Sequence, residues 1–314
     1  MQHHWHKKKI QLTYWFGEFR LFSKSYKLHT CNIDYLTTPP FDPSGLSLPA
    51  LCETENTPGV LLYSYPVGHI AARIFTWENY LGYFIKDYQR FFVRIDSSYE
   101  EYLNKFSAKT RSTFRRKIRK FETVSGGMLD WKIYATPEEM DAFYPLARQV
   151  SEKSYQEKLL DAGLPTSEEF QDEMKQLAEQ NRVRGYLLFH DGQPVSYMYC
   201  PIENTCMIYA YLGYDPDYGR YSVGTILMLL VLENLFESRD AAIFDFTEGQ
   251  SDHKKLFATD SVKCANILLL RKSAGALFWI YLHYGLCGLS ENIVRGLDKL
   301  GLKNKLKKLI RRTA

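Results

Sequence analysis

Residues 184–246 constrain this chain more than any other stretch, because turn, strand and helix signals follow one another there with little between them. Residues 184–189 and 194–199 are apolar and aromatic runs separated by His190-Asp191-Gly192-Gln193. An Asp-Gly pair between two such runs predicts a tight hairpin, since both residues tolerate the positive φ its turn requires. Glu203-Asn204 turns the chain again, into a third run over 205–211. A loop over 213–220 leads to an apolar helix over 222–236, and 241–246 then reads as a buried strand. This order points to an α/β (α+β) protein with a mixed, mostly antiparallel central sheet flanked by helices.

Local signals extend that frame upstream. Ser97-Ser98-Tyr99-Glu100-Glu101 and Thr136-Pro137-Glu138-Glu139 each set a hydroxyl ahead of acids, the mark of a helix start. Between them Ser107 leads into a helix over 109–122 on which Phe114, Ile118 and Phe121 form one apolar stripe. Ser125-Gly126-Gly127 ends it, glycine being free to take the left-handed cap. Short strands are predicted over 131–134 and 261–271, and a helix over 167–180. Segments 60–65, 70–77, 80–85 and 91–95 suit an antiparallel sheet, whereas 10–36 mixes aromatic and polar residues with no clear period. The expected divisions are 1–96, 97–273 and a basic, amphipathic helical segment over 274–314.

Tyr218-Gly219-Arg220-Tyr221-Ser222-Val223-Gly224-Thr225 falls where strand gives way to helix. The first turn of a helix leaves amide hydrogens without internal partners, and with the helix dipole these attract phosphate oxygens. Gly219 and Gly224 would let the main chain approach a ligand closely, and Arg220 adds charge. An ordinary helix start is the alternative reading of the same octapeptide.

The flanks of this loop carry a family resemblance. Lys109-Thr110-Arg111 followed by Arg115-Arg116-Lys117 resembles the basic helix that opens the acyltransferase domain of the CelD-type and FemAB-like branch of the GNAT superfamily. Tyr221-Ser222-Val223-Gly224-Thr225 with Leu227 is similar to that branch's Ser-Pro-Gly-Thr-x-Leu element, with Val223 in place of Pro. Phe244-Asp245-Phe246, then Gly249, His253-Lys254 and Phe257, resembles its Asp-Phe, Gly, Tyr-Lys, Phe element, with His253 in place of Tyr. The resemblance covers roughly residues 95–271, and the N-terminal third could be a degenerate first half of a tandem of two GNAT halves.

The resemblance implies an N-acyltransferase, an acetyltransferase in the simplest case, in which an acceptor amine attacks the thioester of acetyl-CoA or another acyl-CoA directly. Gly219, Arg220, Ser222, Val223, Gly224 and Thr225 would hold the coenzyme A diphosphate, with Lys254 a further candidate partner for phosphate or for Asp245. Such a reaction needs a positioned carbonyl and a route for the amine proton. Glu248, Asp245 and His253 are the candidates for proton removal or acceptor binding. Asp245, inside an apolar run, could instead be a buried carboxylate that orders the next loop, and His253 a solvated surface residue. Tyr211, Tyr214 and Tyr218 could protonate the departing thiolate or simply pack. Glu152, Ser154 and Tyr155 fall where acceptor contacts are expected in this fold.

The remaining features narrow the partners. Six cysteines show no zinc-like spacing, and His3, His4 and His6 lack a carboxylate or thiol companion, so no metal is expected. No apolar core follows Lys7, Lys8 and Lys9, so a secretory leader is not expected and the chain reads as cytoplasmic. The basic stretch 109–120 lacks a nucleic-acid-binding signature and suits a solvated face or an anionic substrate. Residues 297–312 join Leu300, Leu302, Leu306, Leu309 and Ile310 to several cations, which could rest on the body of the protein or on an anionic membrane. The acceptor is expected to be a small molecule or glycan, such as an amino sugar or polysaccharide precursor. Two rivals share the fold: an aminoacyl transferase fed by aminoacyl-tRNA, and a catalytically silent binding protein.

Overall fold

The computed structural model describes residues 5–16, 19–45, 57–154 and 163–299. In chain order its strands are β1 (Trp5–Phe16), β2 (Phe19–Asn32), β3 (Gly59–Pro66), β4 (Ile74–Trp77) and β5 (Tyr80–Arg94). Helices α1 (Tyr99–Asn104) and α2 (Ala108–Val124) follow, then β6 (Asp130–Tyr134), α3 (Pro137–Lys153) and α4 (Glu168–Glu179). Next come β7 (Val183–His190), β8 (Gln193–Glu203), β9 (Cys206–Ile208), β10 (Tyr211–Tyr214), a 3-10 turn over Pro216–Tyr221 and α5 (Val223–Ser238). The described chain closes with β11 (Ile243–Asp245), α6 (Asp252–Phe257), β12 (Asp260–Arg271) and α7 (Ala274–Lys299). No helix among the described residues is long and apolar enough to cross a membrane.

Two compact units emerge: residues 1–89 with 262–314, and residues 90–261. Leu268, Leu270, Ala276 and Ile280 share one buried cluster with Leu12, Tyr14, Leu28 and Leu61, so β12 and α7 complete the first unit rather than standing apart. The basic stretch expected beyond residue 299 lies outside the described residues.

In the first unit β1 and β2 form one long antiparallel hairpin, β2 runs parallel to β3, and β3 pairs antiparallel with β12. Alternation then sends side chains to two faces. Val60, Leu62, Ile267 and Leu269 pack on one side with Phe41 and Phe84, while Leu61, Leu268 and Leu270 pack on the other beneath α7. The strands expected at 80–85 and 91–95 are one continuous strand, β5.

The second unit carries the hairpin legible in sequence: β7 and β8 pair antiparallel, and Asp191 and Gly192 take φ of 49° and 72° at the turn. β6 adds outside β7, while β9 joins β8 to β11, which runs parallel to β9 and antiparallel to the end of β5. Leu187 and Phe189 face α3 and α4, whereas Tyr186 and Leu188 face the cluster that buries α5. Both faces of β7 are therefore covered, which explains its near-continuous apolar run. The capping boxes Ser98–Glu101 and Thr136–Glu139 form as their spacing predicts.

Candidate active site

The third strand of the motif does not run unbroken over 205–211. Met207 pairs with Ile202 on β8, but Tyr211 pairs with Tyr199, so the register slips by one residue at Tyr209 and Ala210. Such a bulge bends a strand and redirects its ladder. The Tyr209 amide still donates to the Asp245 carbonyl at 2.9 Å, the last rung between this strand and β11. Beyond it β10 stays with β8, while the Phe246 amide turns to the Phe91 carbonyl on β5. Among the described residues no backbone hydrogen bond joins 210–214 to 246–250, so the two strands part.

Asp245 sets this fork. It is 1% exposed, and its carboxylate accepts from Arg90 Nε at 2.9 and 3.1 Å and from Arg90 Nη2 at 2.5 Å. The Thr247 amide donates to Oδ1 at 2.7 Å, and Thr247 takes φ of 60°. A short acidic side chain bonded to the amide two residues on closes a local turn, which here swings the chain away from β10. These bonds hold both Asp245 oxygens at the root of the gap. Lys254, expected against Asp245 or a phosphate, donates to the Glu248 carbonyl at 2.7 Å. Glu248 itself lies exposed on the segment that leaves β11.

The glycine loop forms the neighbouring wall. Asp215 caps the 3-10 turn by accepting from the Asp217 amide and is held by Lys153 at 2.8 Å. His190 on the β7–β8 turn packs edge-on against Tyr218, and Phe121 on α2 packs against both His190 and Tyr221. α5 begins at Val223, one residue later than expected, because Ser222 takes the left-handed conformation (φ 59°, ψ 41°). Its hydroxyl makes no capping bond. Thr225 and Ile226 both donate to the Ser222 carbonyl, so the amides of Val223 and Gly224 precede the first helical bonds. Gly219 and Gly224 both lie under the ring of Tyr214, where a Cβ would sit at ordinary contact distances of 3.6 and 3.4 Å. Tyr214 is thus positioned by the loop, while Tyr211 packs against Phe170 and Tyr199, and its phenol is pushed up by burial.

The basic helix meets this loop, which its sequence did not disclose. Lys120 donates to the Arg220 carbonyl at 3.3 Å and lies over the Tyr221 ring, as does the Arg220 guanidinium. Arg115, Arg116, Arg119 and Lys120 are exposed and, with Ser112 and Thr123, line a shallow depression of about 460 Å³. Lys117 points the other way and is half-buried; burial, then Arg116, lowers its pKa. His253 on α6 is half-buried rather than solvated, 4.8 Å from the Phe257 ring. Burial, then Lys117 and Lys254, holds its pKa below the usual histidine value, so the imidazole is neutral at pH 7.

Of the expected acceptor contacts, Ser154 is buried under Gly213 and Glu152 pairs with Arg148, while Tyr155 lies outside the described residues. No cluster of three metal-ligating side chains occurs among the described residues.

The two strands thus part beside the start of α5, within a mixed sheet flanked by helices. Residues 108–255 match the acetyltransferase (GNAT) domain family. Among solved structures the chain is similar to FemX, at 11% identity over 88% of this chain and 90% of that one, with a TM-score of 0.52. It is also similar to L-PGS from Bacillus licheniformis, at 15% identity over 75% and 73%, with a TM-score of 0.45. A third is the C-terminal domain of a putative lysylphosphatidylglycerol synthetase from Agrobacterium fabrum, at 10% identity over 69% of each chain, with a TM-score of 0.46. No curated protein matches the chain in sequence.

Proposed function

We propose that the domain transfers an acyl group from acyl-coenzyme A to an amine on a small-molecule or glycan acceptor, such as an amino sugar or polysaccharide precursor. The fork between β10 and β11, set beside the open start of α5, is the observation that carries this reading. In it the donor diphosphate lies against the Val223 and Gly224 amides, with Arg220 and the outer face of α2 supplying positive charge. The pantetheine arm enters the fork, where main-chain groups no longer paired between strands can hydrogen-bond to its amides. The acceptor amine attacks the thioester carbon; the new C–N bond forms, the C–S bond breaks, and coenzyme A leaves as thiol. Glu248 takes the amine proton in this scheme, with neutral His253 as the second candidate, and Tyr214, over the loop, is placed to protonate the thiolate.

Calorimetric titration of the full chain with acetyl-coenzyme A tests the donor. Saturable binding that Gly224→Trp abolishes is the expected result, because the indole would fill the approach to the amides. Absence of binding by the parent protein overturns the reading. The cationic outer face of α2, which continues from Ser112 to Thr123, favours one alternative donor, an aminoacyl-tRNA. Binding of tRNA with no binding of acetyl-coenzyme A would select it.

A further inference from the structure

The first unit carries a patch of exposed apolar side chains beside its core. Trp15, Leu21 and Phe22 project from the tip of the β1–β2 hairpin, with Leu21 50% exposed. Leu277, Phe278 and Tyr281 project from the first turns of α7, with Phe278 59% exposed. Spacings of one and four residues put these three on one stripe of the helix, while Ala276, Ile280 and His283 occupy the buried side. Trp279 joins Phe22 to this stripe: its ring is 6.0 Å from Phe22 and 5.0 Å from Phe278. Single exposed apolar residues are ordinary, but a contiguous aromatic group contributed by two elements marks a contact surface.

Charge identifies the occupant. The sequence from residue 5 to residue 32 carries Lys7, Lys8, Lys9, Arg20, Lys24 and Lys27 against one acid, Glu18. α7 has no charged residue from its start to Ser290, so nothing on its outer stripe opposes immersion. Lys24 lies over the Trp279 ring at 5.1 Å, its stem covering apolar surface while the ammonium stays available to an anion. A second copy of this chain would bring one cationic hairpin against another. We infer that this patch docks the first unit onto an anionic bilayer surface, the aromatic rings entering the headgroup boundary and the hairpin lysines pairing with lipid phosphates. The contact lies on the first unit, and the inference does not rest on the reading of the proposed acyl-transfer site.

Sedimentation of the full chain with lipid vesicles tests it. Partition into vesicles of phosphatidylcholine mixed with phosphatidylglycerol should exceed that into phosphatidylcholine alone by about tenfold, and should fall as salt rises. Leu21→Glu and Phe278→Glu should each weaken partition by about tenfold or more, since each replaces an immersed apolar group by an anion. Far-UV circular dichroism and acetyl-coenzyme A affinity of both variants should match the parent. Failure of the parent to sediment with the mixed vesicles overturns the inference. So does unchanged sedimentation of the variants, which would put binding on the basic residues beyond 299. A parent dimer that Leu21→Glu makes monomeric overturns it as well, assigning the patch to a second copy.

Discussion

In the first unit β3 and β12 hold their ladder from Pro66↔Cys264 to Gly59↔Leu270 through a single irregularity, and both faces close over it. In the second, the strand made of β9 and β10 slips register against β8 at Tyr209 and Ala210, and only its first half also pairs with β11. One ion pair from each unit differs in burial as well. Arg73 and Asp87 in the first are 39% and 24% exposed, whereas Arg90 and Asp245 in the second are 16% and 1% exposed and sit at the fork. The difference is that a buried ion pair sits at the root of the parting strands, whereas the Arg73–Asp87 pair of the first unit lies nearer water.

The sharpest test of that contrast removes one member of each pair. Asp245→Ala should cost about 3–5 kcal/mol, because it leaves the Arg90 charge buried and the Thr247 turn without its acceptor. Asp87→Ala should cost under about 1 kcal/mol, as solvent screens the partly exposed Arg73. Urea unfolding measures both, and equal losses would dissolve the distinction between the units.

Turnover gives the next effect. Glu248→Gln should slow acyl transfer by about a hundredfold or more, the usual weight of a general base, while acetyl-coenzyme A affinity stays near that of the parent. Unchanged turnover removes Glu248 from the role and directs the same measurement to His253→Gln.

The smallest expected effect concerns a feature the units share. His253 in the second and His283 in the first are both held neutral by burial, His283 hydrogen-bonded to the Tyr83 hydroxyl at 2.7 Å. A histidine whose folded pKa is depressed leaves the unfolded chain binding more protons as pH falls through about 6.5. Stability should therefore be fully present above that pH and decline on acidification, by at most about 1.4 kcal/mol per pH unit for each ring. His253→Asn should flatten part of the slope in denaturant titrations run from neutral to mildly acidic pH. A parent whose stability is level across that window would refute the burial account for both rings.

Local chemistry was legible wherever one short segment held the whole signal. Asp191-Gly192 supplies its own turn, and Ser98, Ser107, Thr136 and Ser167 each accept from an amide three residues on. The β1–β2 hairpin was not legible, because only Leu12 and Tyr14 of β1 are buried and no alternation can show through. The break at Tyr209 was hidden for the opposite reason: both sides of it are apolar, and the bulge exists only relative to β8 and β11.

The sequence alone determined the caps, the hairpin turn, the apolar stripe of α2 and the placing of a glycine loop ahead of a helix, since each depends on contacts within a few residues. Tertiary structure alone decided that Asp245 pairs with Arg90, 155 residues away, that α2 lays Lys120 against Arg220, and that β10 and β11 diverge. These depend on which strands become neighbours, and that choice is made by burying whole faces of sheet at once, an energy spread over the core that no single segment records.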